Sequence, residues 1–282
     1  MSKKVIVAHP EKQHSYRLAE ALYEADLLEE YITTVYYKKS NLTGLLDRIT
    51  KNRAKLDKIR KMSFLDDKFI KQYCEWRGLL LLTLRRSPLK RLVNLVQNIN
   101  FDTFGRKVAS RALTKDVDAV VMYDTNSLSC FNRLAKSKVI RIMDTSIANR
   151  AYTKHIYESI IKTKDEWKRF SEKDILLDKH EMRRLINEIN LTDHFLVPSN
   201  FVKRSLEFSG IDTEKIHIVP YGVDPDLFCY TDRRADISEG ALELLFVGEC
   251  SYRKGINYLL EAAKDMPNVV NLTVVGGYQN IQ

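Results

Sequence analysis

The sequence predicts an α/β protein: a Rossmann-like N-terminal domain carrying helical insertions, then the start of a second Rossmann-like domain. Three observations predict it. Short apolar runs recur along the 282 residues, amphipathic stretches lie between them, and the pattern restarts after a polar segment near the C-terminal end. Nearly continuous apolar strands separated by helices belong to parallel sheets covered on both faces.

The elements follow in order. "KVIVAH" (4–9) reads as the first strand, and a helix from Ser15 to Ala25 follows, with Leu18, Ala21, Leu22 and Ala25 on one face. "YITTVYY" (31–37) is the second strand. "DAVVMYD" (118–124), "KVIRIMD" (138–144), "HFLVPS" (194–199) and "IHIVPYG" (216–222) continue the sheet. Two helical insertions interrupt it, at 41–115 and 153–191, the second containing the amphipathic "DKHEMRRLINEINLTD". "CYTDRRADISEG" (229–240) has the composition of a linker. The expected organisation is a domain over 1–228, a linker over 229–240 and an incomplete second domain over 241–282. In the last, "LELLFVG" and "NLTVVGG" are strands flanking one helix. Two strands and a helix bury little apolar area.

Composition bounds the class. The hydrophobic fraction of 44% and charged fraction of 29% are those of a soluble globular chain. "MSKKVIVAHP" is too short in its apolar stretch for a secretion signal, and "GLLLLTL" (78–84) is too short to span a bilayer. Cys74, Cys130, Cys229 and Cys250 show neither CxxC nor CxxH spacing, so no zinc site or disulfide framework is implied. A reducing cytoplasm is the expected location. No GxGxxG follows the first strand, and GxxxxGK[ST] and GxSxG are absent, which argues against dinucleotide oxidoreductases, P-loop NTPases and α/β-hydrolases.

The net charge of +9 is concentrated. Between Arg48 and Arg111 there are 17 Lys and Arg against 5 Asp and Glu. "YCEWRGLLLLTLRRSPLKRLVNLV" adds Trp76 and a leucine run to Arg85, Arg86, Lys90 and Arg91. Segment 48–111 reads either as a surface for an anionic membrane, which would hold the protein peripherally on the inner face of the plasma membrane, or as a solvated cationic face whose leucines pack inward. No recognised nucleic-acid motif accompanies it, and no nucleic-acid partner is expected.

"FVGECSYRKGINYLLEAA" places Arg253 and Lys254 between a strand closed by Gly248 and a helix opening near Gly255. Backbone N–H groups at a helix start favour an anion, and two cations add to that. The alternative is a basic loop that solvates the turn.

Three stretches in this order, "LTDHFLVPSNFVKRSLEFSGI", "KIHIVPYGVDPDLF" and "LLFVGECSYRKGINYLLEAA", resemble the retaining nucleotide-sugar glycosyltransferases of family 4, which have the two-Rossmann GT-B fold. The resemblance covers 190–282 well and 1–150 as pattern. It implies that Arg253 and Lys254 contact the diphosphate of a nucleotide-sugar donor, with Gly248 letting the backbone approach. It implies no cofactor, and no metal ligand set is visible. Glu249 departs from the family, which often has Arg or Gln there. The family's Glu-rich sugar-gripping segment has no counterpart up to Gln282, so a catalytically incomplete acceptor- or membrane-binding protein is the alternative expectation.

The N-terminal domain would hold the glycan or lipid-linked acceptor in surface polysaccharide synthesis. Where relatives have a glycine-rich turn this chain has "HPEKQHSYRLAEAL", so either the backbone cradle is looser or the site uses the side chains of His9, Lys12, His14 and Ser15. His14 is otherwise a surface histidine near a helix cap. Asp124 and Asp144 end strands and so point to the crevice where ligands of parallel sheets bind. Asn149 stands where relatives often have His, so no catalytic histidine is assigned.

Overall fold

A computed structural model describes residues 3–11, 13–44, 61–62, 64–89, 92–163, 179–230 and 240–277. Lys12, the cations of 48–60, Lys90, Arg91 and most of the expected linker (231–239) lie outside the described residues. The described residues of Met1–Tyr152 and Leu177–Pro220 form one compact unit, and those of Thr153–Leu176 and Tyr221–Gln282 another.

In the first unit seven strands form one parallel sheet: β1 (Val5–Ala8), β2 (Leu28–Thr33), β3 (Ile70–Gln72), β4 (Ala119–Tyr123), β5 (Ile140–Asp144), β6 (His194–Val197) and β7 (Ile216–Ile218). Their spatial order is β3-β2-β1-β4-β5-β6-β7. The helices are α1 (Ser15–Glu24), α2 (Glu75–Leu84), α3 (Val93–Lys115), α4 (Leu128–Leu134), α6 (Lys179–Asn190) and α7 (Asn200–Glu207), together with the first three residues of α5 (Arg150–Thr163), whose remainder belongs to the second unit.

Alternation along each strand divides the core. Ile6, Ala8, Val120, Met122, Phe195 and Val197 join Phe104 and Val108 of α3, Phe131 of α4 and Leu206 of α7. Val7, Tyr31, Val121 and Tyr123 face the other way, onto Tyr16 and Ala19 of α1 and onto Met62 and Leu65. Successive side chains of a strand point to opposite faces, so the central strands are apolar at every position. Helix α3 is also tied to β2 by charge. Arg111 clasps the buried Glu30 through two hydrogen bonds, its Nε donating to Oε2 at 2.8 Å, and Lys115 Nζ reaches Glu29 Oε1 at 2.7 Å.

Three local expectations differ. Strand β2 ends at Thr33 rather than running to Tyr37. Val35 and Tyr36 are buried because the following loop folds into the core, where Tyr36 Oη accepts the Met62 N–H at 3.2 Å. The 41–115 insertion is not wholly helical, since Ile70–Gln72 adds the edge strand β3. The buried face of α1 is Ser15, Tyr16 and Ala19, while Ala21 and Ala25 are exposed. Tyr31 sets that face: its hydroxyl lies 2.9 Å from Ser15 Oγ, and its ring meets Tyr16 edge-on at 5.2 Å.

In the second unit, β8 (Leu242–Val247) and β9 (Val270–Val275) pair in parallel, with α8 (Ile256–Lys264) between them in sequence. Leu242, Leu245, Val247, Val274 and Val275 are exposed. Just past the strands, the Gly248 N–H donates to Val275 O at 2.9 Å, and a Cβ on Gly276 would overlap the Gly248 carbonyl.

Among the described residues no helix is long and apolar enough to cross a membrane, and no group of three or more His, Cys, Asp or Glu could hold a metal ion.

Candidate functional site

Strand order reverses between β1 and β4: the chain builds outward through β2 and β3, then returns to β1 and proceeds the other way. Ligands of open parallel sheets bind beyond the carboxyl ends of the strands at such a switch point. Here those ends deliver His9 from β1, Asp124 from β4 and Asp144 from β5. The first turn of α1 is preceded by His14, whose Nε2 lies 3.1 Å from Asp144 Oδ2. Tyr123, fully buried, supports both histidines edge-on, with ring centroids 4.9 Å from His9 and 5.1 Å from His14.

Next to this cluster a recess of about 400 Å³ opens between β4, β5, α5 and α6, and Asp124, Thr145, Asn149, Arg150 and Glu188 line it. The turn after β4 is held from below by Glu188 of α6. Its carboxylate accepts the N–H groups of Thr125 at 2.9 Å and of Ser127 and Leu128 at 3.0 Å each. Thr125 takes a left-handed φ of 72°, and Glu188 thereby satisfies backbone donors at the head of α4. Thr145 Oγ1 is buried in the lining without a hydrogen-bond partner.

Burial dominates the electrostatics. It pushes Glu188 up to about 7, against the lowering effect of the three N–H donors. It pushes Asp124 up to about 6; Arg150 opposes that rise and the neighbouring Asp144 adds to it. His9 is driven down to about 4 by burial, with the Glu11 carbonyl, 2.6 Å from its Nδ1, partly offsetting the loss. At neutral pH His9 is therefore an uncharged imidazole, and Asp124 titrates near the working range of acid–base groups. The arrangement can orient a hydroxyl, accept hydrogen bonds from it and hold a proton close by.

The sequence candidates divide. His14, Asp124 and Asp144 come together. Asn149 lines the recess, but its Oδ1 accepts the Ala151 N–H at 2.8 Å and so caps the start of α5. Glu188 is a residue the sequence reading missed. Its signal was a carboxylate on the apolar side of "DKHEMRRLINEINLTD", three residues after Leu185 and next to Ile189.

In the second unit, Gly248 has a φ of 155° and Gly255 one of 71° at the head of α8. Between them Tyr252–Lys254 forms a 3-10 turn in which the Lys254 N–H donates to Ser251 O at 3.0 Å. Arg253 and Lys254 are exposed on that turn, while Ser251 Oγ and Asn257 Oδ1 are buried without hydrogen-bond partners. Two cations, a helix N-terminus and two unsatisfied polar atoms suit an oxyanion bearing hydroxyl neighbours.

No protein-family profile and no curated protein sequence matches the chain. Solved structures overlap it at low identity. UDP-GlcNAc 2-epimerase from Methanocaldococcus jannaschii is 11% identical with a TM-score of 0.41, over 97% of this chain and 65% of that one. UDP-N-acetylglucosamine 2-epimerase from Rickettsia bellii is 12% identical with a TM-score of 0.41, over 97% and 62%. The lipopolysaccharide outer core galactosyltransferase WaaB is 13% identical with a TM-score of 0.45, over 99% and 61%. The chain thus spans less than two thirds of the length of each of these proteins, and its functional reading rests on its own residues.

Proposed function

We propose that the chain is a retaining glycosyltransferase that moves a sugar from a nucleotide-diphosphate sugar to a hydroxyl of a glycan or lipid-linked acceptor in surface polysaccharide synthesis. The observation that carries this reading is the convergence of His14, Asp124 and Asp144 at the switch point, with the 3.1 Å contact between His14 and Asp144. The sequence resemblance and the cationic turn of the second unit support it.

In this mechanism the acceptor hydroxyl attacks the anomeric carbon on the face from which the diphosphate leaves. The bond from that carbon to the phosphate oxygen breaks, and the departing phosphate takes the hydroxyl proton. Arg253 and Lys254 offset the charge growing on the leaving group, with the N–H groups at the head of α8 as further donors. His14, held by Asp144, orients the acceptor. Asp124, Thr145 and Arg150 bind its remaining hydroxyls. No metal or cofactor takes part in the proposed step.

The same proposal places the protein peripherally on the cytoplasmic face of an anionic membrane. Trp76 and Leu80 of α2, and Leu89, Leu92, Leu95 and Ile99 at and after the turn into α3, are exposed, as is Arg86. Apolar side chains interleaved with cations suit the headgroup boundary of such a bilayer.

The test is binding and transfer by the 282-residue chain with a panel of labelled UDP-, GDP- and ADP-sugars and lipid-linked acceptors, repeated with an Arg253→Ala/Lys254→Ala double variant. Loss of transfer in a variant that stays folded supports the donor assignment, and wild-type transfer removes it. A wild-type chain that binds acceptor or vesicles and no nucleotide sugar favours the second reading, a catalytically incomplete acceptor- or membrane-binding protein.

A further inference from the structure

A second recess, of about 450 Å³, opens at the carboxyl ends of β1 and β2, where α2 and α3 close over the loops that follow those strands. The loop 9–11 separates it from the histidine cluster: His9 turns its ring to Tyr123, whereas Pro10 and Glu11 line the recess. One wall exists because residue 78 is glycine. A Cβ there would fall 2.6 Å from Val35 Cγ2 and 2.7 Å from Thr34 Oγ1, so only glycine lets α2 come this close.

The chemistry of the lining is specific. Asn100 of α3 is 1% exposed, and its Oδ1 has no hydrogen-bond partner. A buried amide oxygen without a donor is rare in folded proteins, and an O–H or N–H from a ligand would satisfy it. At the rim Arg85 Nη2 donates to Glu11 Oε1 at 2.6 Å and to Gln97 Oε1 at 2.9 Å. The guanidinium charge is already matched by a carboxylate, so the rim does not select an anion. It offers paired donors and acceptors, as a hydroxyl requires. Pro10, Leu81 and Leu82 supply an apolar surface beside these polar groups.

We infer that this recess binds a neutral polyhydroxylated ring, with a ring hydroxyl donating to Asn100 Oδ1, others meeting the Glu11–Arg85 pair, and C–H faces lying on Leu81 and Leu82. Resting on the transferase reading, the ring is a sugar unit of the acceptor next to the one that reacts. The structure therefore assigns recognition of an acceptor longer than one sugar to a site outside the His14–Asp144 cluster.

The test is saturation-transfer NMR and titration calorimetry on the full chain with methyl glycosides of glucose, galactose and N-acetylglucosamine, with myo-inositol, and with inorganic phosphate as the anionic probe. The expected result is millimolar binding of at least one ring and none of phosphate. Leu82→Trp, which fills the recess from a half-buried position, and Asn100→Leu should each weaken that binding at least about tenfold. If Asn100→Leu does not fold, Leu82→Trp decides alone. No ring binding at about 50 mM, phosphate as the sole binder, or unchanged affinity in folded Leu82→Trp overturns the inference. The two readings fail separately. Ring binding that Leu82→Trp abolishes, in a chain that transfers from no donor, keeps the recess and removes the transferase. Transfer to a two-sugar acceptor that Leu82→Trp leaves unaltered keeps the transferase and removes the recess.

Discussion

His14 Nε2 and Asp144 Oδ2 meet at 3.1 Å although 130 residues separate them in the chain. Strand β4 lies between β1 and β5, so the contact passes over the end of β4, where the Tyr123 ring supports the imidazole. An acceptor at the switch point would meet a histidine whose orientation is set by a carboxylate.

Asp144→Asn and His14→Gln are each expected to lower kcat/KM for the acceptor by about 10- to 100-fold, the worth of one charge-assisted hydrogen bond. The double variant should lose little more than either single one, because both remove the same contact. Steady-state kinetics and thermal melts check this together. Additive losses, or equal losses of melting temperature and rate, would reduce the pair to a structural role.

Much of this site was legible in the sequence, for a physical reason. A parallel sheet puts ligands at the carboxyl ends of its strands, so Asp124 and Asp144 were marked by the apolar runs they terminate. The His14–Asp144 contact was not, because it depends on how loop 10–14 folds across the sheet. Strand β3 was hidden because only Ile70 of its three residues is apolar. The place of Glu188 on the apolar side of its helix was readable, but its partners are backbone N–H groups, which carry no sequence signal. The basic segment read as a membrane surface or a solvated cationic face, yet four of its described arginines have partners within the unit: Arg77 at Thr103, Arg85 at Glu11, Arg106 at the Asp102 carbonyl and Arg111 at Glu30. Their charge was readable and their partners were not.

Glu188→Ala would leave the N–H groups of Thr125, Ser127 and Leu128 without their acceptor. A loss of about 1–3 kcal/mol in unfolding free energy is expected, the cost of one buried donor left unpaired, since the Ser127 N–H is buried whereas water reaches Thr125 and Leu128. Denaturant melts measure the loss. Slowed exchange of these three amides in wild-type protein, and fast exchange in the variant, would tie it to the turn.

Stability against pH should show two opposing slopes. Glu188 rises from 4.5 to about 7 and Asp124 from 3.8 to about 6 on folding. A carboxyl raised in the folded state contributes stability below its unfolded value and loses it as pH climbs through the folded one. Their joint contribution therefore falls between about pH 4 and 7. His9 is lowered from 6.5 to about 4, so its contribution is complete above 6.5 and disappears as pH falls toward 4. Glu188→Gln should flatten the decline toward neutral pH, and His9→Gln should flatten the decline toward acid. Urea melts across about pH 4 to 8 test both signs. A variant curve parallel to wild type would show that the group does not titrate as its burial requires.

Gly276 and Gly277 form a matched pair for testing the second unit. A Cβ at Gly276 would overlap the Gly248 carbonyl, and the φ of 159° already disfavours a side chain, whereas nothing lies within 4 Å of a Cβ at Gly277. Gly276→Ala should force β8 and β9 apart where the Gly248 N–H meets Val275 O, at a cost of at least about 1 kcal/mol. Gly277→Ala should be close to neutral. Limited proteolysis with mass mapping reads this out: cleavage within 240–277 should accelerate in Gly276→Ala and keep its wild-type rate in Gly277→Ala. Nucleotide-sugar binding should weaken in the first variant alone, because Gly248 opens the turn that carries Arg253 and Lys254. Equal behaviour of the two variants would mean that the close approach at Gly248 does not organise that turn.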